Sequence, residues 1–251
     1  MWWSARVSLP RVGEKTWMHA NRNNTEATTS SARLNRRFRW VSVAEVAAVT
    51  GAILALIWIV QPLGASNLDL ALRLLIVASM LLSNIAHRDS RERLGIRLDN
   101  FATAVRIVLP ATAVVACAFG LLGLIVARPP LIVQRVALNF VYYLGWGFAQ
   151  QYALQGFVLL RLRDAGLNRS APVTAAALFA LVHVPNPGLV AMTFTGGWLW
   201  CTMFRRAPNL LMLAISHALL AVVTEAMLPG HVTGGYRLGP RYLRWVSGRE
   251  Q

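Results

Sequence analysis

The stretch AVRIVLPATAVVACAFGLLGLIV, residues 104–126, contains a single charged residue, Arg106. A helix of about 20 apolar residues is long enough to cross the hydrocarbon core of a bilayer. Stretches of similar length and composition recur along the chain, so the sequence predicts an all-α fold, a polytopic transmembrane helical bundle. About seven spans are predicted, at residues 41–60, 70–86, 104–126, 131–150, 172–184, 189–204 and 210–228.

The composition supports this class. Of 251 residues, 56% are hydrophobic and 14% are charged, whereas soluble domains carry roughly 25% charged residues. The net charge of +15 comes from short basic blocks between apolar stretches, which indicates contact with membrane lipids rather than with nucleic acid. Cys117 and Cys201 lie inside apolar stretches without CxxC spacing, so they are interpreted as core residues and not as a disulfide or a metal site.

Three regions are predicted. Residues 1–40 form a flexible, basic N-terminal tail in which Met18 is an alternative start, residues 41–230 a transmembrane domain, and residues 231–251 a basic, aromatic C-terminal tail. Most basic residues fall on the side of the N-terminal tail, so the positive-inside rule predicts a cytoplasmic N-terminus. Seven crossings would leave Arg237, Arg241, Arg244 and Arg249 outside, so either one span is misassigned or the C-terminal tail folds back at the interface.

Two segments between the spans are predicted to lie at the membrane interface. The first is SRERLGIRLDNFATAVR, residues 90–106, and the second is GFVLLRLRDAG, residues 156–166. In both, leucines can enter the acyl region while arginines contact lipid phosphates.

Polar residues interrupt three of the apolar stretches. They are Gln150, Gln151 and Gln155 in one stretch, His183 in a second and His217 in a third. Intramembrane ionisable residues usually face the bundle interior and mark a functional site. The glutamines have an alternative role as interhelical hydrogen-bonding groups, worth roughly 0.5–2 kcal/mol each. Together the three stretches predict one polar chamber inside the bundle.

The order FAQQYALQGFVLL, FALVH and SHALLA resembles the CAAX prenyl protease and bacteriocin-processing (CPBP) family of intramembrane endopeptidases. Its motifs are Glu-Glu-x-x-x-Arg, Phe-x-x-x-His and His-x-x-x-Asn on successive membrane helices. The resemblance covers residues 135–225. The motif positions are held here by Gln150, Gln151, Gln155, Phe179, His183, His217 and Ala221.

The resemblance implies a catalytic site at Gln150, Gln151, His183 and His217, with Gln155, Phe179 and Ala221 in support. In the family the first glutamate and the second-motif histidine are thought to activate a water that attacks a peptide carbonyl. A glutamine amide is neutral and cannot accept that proton, so Gln150 cannot be a general base.

No cofactor is expected, since two histidines are too few ligands for a typical zinc site. Three acids, Glu225, Glu45 and Asp69, are candidates to replace the missing base, and Glu225 is the best of them.

The implied function is that of a CAAX prenyl protease-like intramembrane endopeptidase in a bacterial cytoplasmic (inner) membrane. The expected partners are membrane lipids and a membrane-associated or lipidated peptide or protein. One alternative is a catalytically silent relative, or pseudoenzyme, that binds such a partner in the same chamber. Another is a small-solute transporter, although no internal repeat favours it.

Overall fold

The computed structural model describes residues 39–126 and 133–248, with the backbone alone for residues 133–137. Within these ranges the chain forms helices and turns and no β-strand, which confirms the predicted all-α class. The N-terminal tail predicted for residues 1–40 lies, except for its last two residues, outside the described residues.

Eight helices organise the structure. They are α1 Arg39–Leu63, α2 Ser66–Ala86, α3 Phe101–Val126, α4 Val133–Gln151, α5 Ala171–Leu181, α6 Pro187–Arg206, α7 Leu210–Met227 and α8 Gly239–Val246. α4 continues without a break through a π-helical segment, Tyr152–Leu159, and an α-helical turn, Leu160–Asp164. π-helical insertions are uncommon and often occur at functional sites. This one begins directly after Gln151.

Four described helices, α1, α2, α3 and α7, are long and apolar enough to cross a membrane. At most 44% of the residues in their apolar windows are buried inside the protein, so most of these side chains face outward, as lipid contact requires. α5 is apolar but spans 11 residues, and α4 and α6 are not among the described helices that are long and apolar enough to cross. The chain is therefore an integral membrane bundle in which four of the seven predicted spans are both long and strongly apolar.

The packing of α7 positions the predicted chamber. α7 lies against both α3 and α4, while α5 and α6 pack against each other. Fully buried Leu210, Leu213 and Ala214 on α7 belong to the face that enters the protein. The glutamines of α4 and the histidine of α7 are thus brought to one helix–helix contact.

The first of the two segments predicted at the interface is attached to the start of α7. Asn209 caps this helix, because its Oδ1 accepts from the backbone N–H of Met212 at 2.9 Å. Its Nδ2 donates to the carbonyl of Arg97 at 2.8 Å and to Oδ1 of Asn100 at 2.9 Å. The buried side chain of Asn209 therefore caps the first turn of α7 and also holds the preceding segment against it.

For the second segment, residues 156–166, the prediction was wrong. Its Arg161 is 0% exposed and does not reach lipid phosphates. The helix that carries the glutamines continues into this segment, and its Phe157 and Leu160 are also fully buried. The guanidinium of Arg161 pairs instead with carboxylates inside the protein.

Candidate functional site

The site is built where α4 crosses α7. Gly147 faces His217 so closely that a Cβ on the glycine would lie 3.3 Å from Cβ of the histidine. The absence of a side chain at Gly147 lets the two backbones approach. One turn further along α4, Gln151 reaches the imidazole, with Nε2 3.3 Å from Nδ1 of His217.

Three side chains form a hydrogen-bonded row that we call the amide chain: Gln155, Gln151 and His217. Nε2 of Gln155 donates to Oε1 of Gln151 at 3.3 Å, and Nε2 of Gln151 then donates to Nδ1 of His217. Both glutamines are 0% exposed. With Nδ1 accepting, the imidazole proton of neutral His217 belongs on Nε2. The amide chain therefore ends in an N–H donor.

The other end of the amide chain is open. Oε1 of Gln155 is buried and has no hydrogen-bond partner among the described residues. A buried carbonyl oxygen without a donor costs about 1–3 kcal/mol, so a water or a ligand N–H placed there would be stabilised. Cys201, also fully buried, lies next to this amide.

The ring of His217 is held on its other side by Trp200. The two rings are stacked, with centroids 4.7 Å apart and an interplanar angle of 12°. Nε1 of Trp200 donates to Oγ of Ser216 at 3.0 Å, and Ser216 is 2.7 Å from Oγ1 of Thr112 on α3. Three helices therefore fix the orientation of one imidazole.

His183 lies in the turn after α5 and is 7% exposed. Its Nδ1 is 2.7 Å from the carbonyl oxygen of Phe179, so Nδ1 carries the proton and Nε2 is left as an acceptor. The Phe179 ring meets the imidazole edge-on at 5.1 Å. His183 and His217 are close enough to interact electrostatically. The two histidines thus offer opposite groups, an acceptor on His183 and a donor on His217.

The remaining predicted residues lie around this centre. Gln150 precedes Gln151 on α4 and is half-buried, and Ala221, one turn beyond His217 on α7, is also half-buried. Glu225 is exposed and accepts from Nδ2 of Asn139 at 2.9 Å. Asp69 pairs with Arg73 four residues along α2.

Glu45, the third candidate acid, belongs to a group of mostly buried and half-buried polar side chains that the sequence did not predict. We call this group the arginine cluster. Its members are Glu45, Ser83, Asn84, His87, Asp89, Arg93, Arg161 and Asp164. Arg161 donates to Oγ of Ser83 at 2.9 Å, to Oδ1 of Asn84 at 2.7 Å and to Oδ2 of Asp164 at 2.7 Å, and it also bonds Asp89. One guanidinium thereby joins α2, the segment after it and the end of the α4 continuation.

The arginine cluster touches the helix of the amide chain. Nδ2 of Asn84 donates to the hydroxyl oxygen of Tyr152 at 2.7 Å, and Tyr152 follows Gln151 directly. The π-helical segment is thus fixed by hydrogen bonds on both sides, to α7 through Gln151 and to α2 through Tyr152.

A second missed residue is Asn186, three positions after His183 and 1% exposed. Its Oδ1 caps α6 by accepting from the N–H of Leu189 at 3.2 Å. Its Nδ2 donates to the carbonyl oxygens of Thr233 at 2.8 Å and Arg237 at 3.1 Å. The described part of the C-terminal tail therefore packs against the loop that carries His183.

Among the described residues, no group of three or more His, Cys, Asp or Glu side chains is arranged to hold a metal ion. The donors at the centre are two imidazoles and two neutral amides. Their chemistry is hydrogen bonding and, at Nε2 of His183, proton acceptance.

Residues 132–223 match the family described as type II CAAX prenyl endopeptidase Rce1-like. The match begins with α4 and ends within α7, so it contains the amide chain, His183 and Asn186. No curated protein and no solved structure matches the chain.

Proposed function

This membrane protein is related over residues 132–223 to the type II CAAX prenyl endopeptidases, and from that premise we propose that it binds a membrane-associated or lipidated peptide without cleaving it. The amide chain carries the proposal. Gln151 stands where the family has a glutamate and Gln155 where it has an arginine, and these two carboxamides are hydrogen-bonded to each other and, through Gln151, to His217. An amide offers donors and acceptors to a peptide backbone but cannot take a proton from water.

The chamber offers three groups that suit an extended peptide. Oε1 of Gln155 accepts a peptide N–H, Nε2 of His217 donates to a peptide carbonyl, and Nε2 of His183 accepts a further donor. These groups are neutral, so a neutral backbone is favoured over a charged solute. A hydrogen bond made in such a buried site is worth about 0.5–1.5 kcal/mol net.

Binding and cleavage are separated by one experiment on the full chain in lipid nanodiscs. A fluorescent farnesylated peptide is titrated for binding, and the same mixture is analysed by mass spectrometry for products. We expect binding without hydrolysis. We expect Gln151→Leu to weaken binding about tenfold, because it removes the two hydrogen bonds that hold Gln155 and His217 in position to contact the peptide.

Gln61→Leu, at the end of α1, is the matched control and should leave binding unchanged. Equal losses of peptide affinity in Gln151→Leu and Gln61→Leu would show that the amide chain does not contribute to peptide binding. Product formation that His183→Ala abolishes would show that the protein is an endopeptidase.

A second candidate function, endopeptidase activity, is favoured by one observation: Nε2 of His183 is free to act as a base, since Nδ1 is bonded to Phe179. In this reaction Nε2 takes a proton from a water while the water oxygen attacks the peptide carbonyl. Nε2–H of His217 stabilises the resulting oxyanion. The C–N bond then breaks and His183 returns the proton to the amine that leaves.

The proposed location is the cytoplasmic (inner) membrane of a bacterium, with the N-terminus and the segments containing Arg91 and Arg161 on the cytoplasmic side. Two single-cysteine variants test this orientation, Arg91→Cys and Asn67→Cys. Both positions are exposed, Asn67 at the start of α2 and Arg91 in the segment that follows its end. Both are made with Cys117→Ser, since Cys117 is exposed and Cys201 is buried.

An impermeant maleimide added to intact cells should label position 67 and not position 91. Labelling at 91 with protection at 67 would reverse the proposed topology.

A further inference from the structure

We propose that a cleft at the end of α2, outside the chamber, binds one anionic phospholipid through Arg88. The cleft has a volume of about 380 Å³, within the range of small-ligand sites. Leu81, Ile85 and Ile96 contribute apolar walls, while Arg88 and Tyr152 contribute polar groups. The site is therefore apolar on one side and basic at one end.

The apolar part of the cleft opens outward. Ile85 is 71% exposed and Leu81 is 48% exposed, both on the last two turns of a membrane-spanning helix. From Leu81 to Ala86, the last residue of α2, the helix rises about 8 Å, and Arg88 follows two residues later, so an acyl chain can lie along the leucine with its phosphate beside the arginine. A lipid from the surrounding bilayer fits this distribution better than a fully polar ligand does.

Arg88 carries a positive charge that is not paired with an acidic side chain of the described residues. It is exposed, and it has no ion pair or side-chain hydrogen bond within the described ranges. The other charged group of the cleft, Asp89, pairs with Arg93 at 2.7 Å and also with Arg161. Arg88 is therefore the charged group of the cleft that has no ion-pair partner among the described residues.

The backbone at Arg88 is the second observation. Its φ is +54°, in the left-handed region that disfavours L side chains. The N–H of Arg88 donates to the carbonyl of Ile85, and that of Asp89 to the carbonyl of Asn84, both at 3.0 Å. This is the helix ending at which glycine usually stands. An arginine kept in a position that suits glycine indicates that its side chain has a role.

Tyr152 completes the head-group site. Its hydroxyl oxygen accepts from Asn84 at 2.7 Å, so its own O–H proton remains to be donated into the cleft. A phosphate oxygen between Arg88 and Tyr152 would receive one charged and one neutral donor.

The test uses the full chain in a neutral detergent, titrated with phosphatidylglycerol and followed by native mass spectrometry. Phosphatidylcholine with the same acyl chains tests the head group, and inorganic phosphate as a competitor tests whether the tail is needed. We expect one phosphatidylglycerol to bind, Arg88→Gly to weaken it about tenfold and Arg88→Lys to retain most of the affinity.

Arg91→Gln is the matched control, since this exposed arginine carries the same charge three positions away and does not line the cleft. It should change the affinity less than twofold. Arg88→Gly suits the backbone, so thermal unfolding should show a variant at least as stable as the wild type.

Three results would overturn the proposal: equal loss in Arg88→Gly and Arg91→Gln, equal affinity for phosphatidylcholine, or displacement of the lipid by millimolar phosphate.

Discussion

Replacement of Arg161 by methionine is expected to destabilise the protein by about 3–5 kcal/mol, the usual cost of removing one partner from a buried ion pair. The guanidinium is 0% exposed and contacts Asp89, Asp164 and Glu45. Without it, Asp89, whose side chain is also 0% exposed, keeps a single cation, Arg93. Thermal unfolding in detergent should show a large fall in the midpoint.

Arg163→Met provides the control for Arg161→Met. Arg163 lies on the same helical turn but is exposed, so its loss should change stability by no more than about 0.5 kcal/mol. Adding Asp89→Asn to Arg161→Met should restore part of the loss, because it removes a buried charge that has lost its partner. Similar midpoints for Arg161→Met and Arg163→Met would mean that the arginine cluster does not stabilise the fold.

Restoring the charged motif should create or raise hydrolytic activity. The change is Gln150→Glu with Gln151→Glu and Gln155→Arg, and the expected gain is about 10²–10⁴-fold over the wild-type rate, the contribution of a positioned general base. Gln151 is 3.3 Å from His217 and Gln155 is 3.3 Å from Gln151, so the new side chains would stand within hydrogen-bonding reach of the existing centre. Cleavage of a farnesylated peptide by the purified variant measures the gain.

Two further variants show whether such activity arises at this centre. Omitting Gln155→Arg should lower the gain, since two carboxylates close together repel unless a cation lies between them. Adding His183→Ala should abolish it. Activity that survives His183→Ala would show that the reaction occurs elsewhere. A folded triple variant without activity would show that other positions also prevent hydrolysis, with Ala221 as the first candidate.

The sequence predicted the helical membrane class because apolar run length is a local property. It also indicated that Gln151 and His217 lie together, since their order resembles that of known motifs, and the structure brings their side chains to 3.3 Å. The roles assigned to Gln150, Gln151, His183 and His217 remain predictions. Most helix bounds differed by a few residues, in part because polar ends such as Arg205 and Arg206 continue helices that the apolar runs did not include. The exception is α4, whose helical continuation reaches Asp164, well beyond the predicted end at residue 150.

The arginine cluster could not be predicted in the same way. Arg161 is hydrogen-bonded to Asp89, which is 72 positions away along the chain, and to Ser83, which is 78 positions away. No sequence periodicity encodes such a pairing. The sequence predicts an interfacial segment at residues 156–166, because the local pattern shows only leucines and arginines that could face the interface. The distinction between buried Arg161 and exposed Arg163 depends on which side of one helix faces α2, and therefore on tertiary packing.

The attachment of Asn186 to Thr233 and Arg237 also has a consequence for the order of events during synthesis. The carbonyl of Arg237 belongs to a residue 51 positions after the asparagine. At a translation rate of about 5–20 residues per second, that carbonyl is made roughly 3–10 s after Asn186. Through this interval the loop next to His183 exists without the partners that fix it. A newly made chain therefore completes α6 and α7 before it contains the carbonyl groups that fix the loop next to His183.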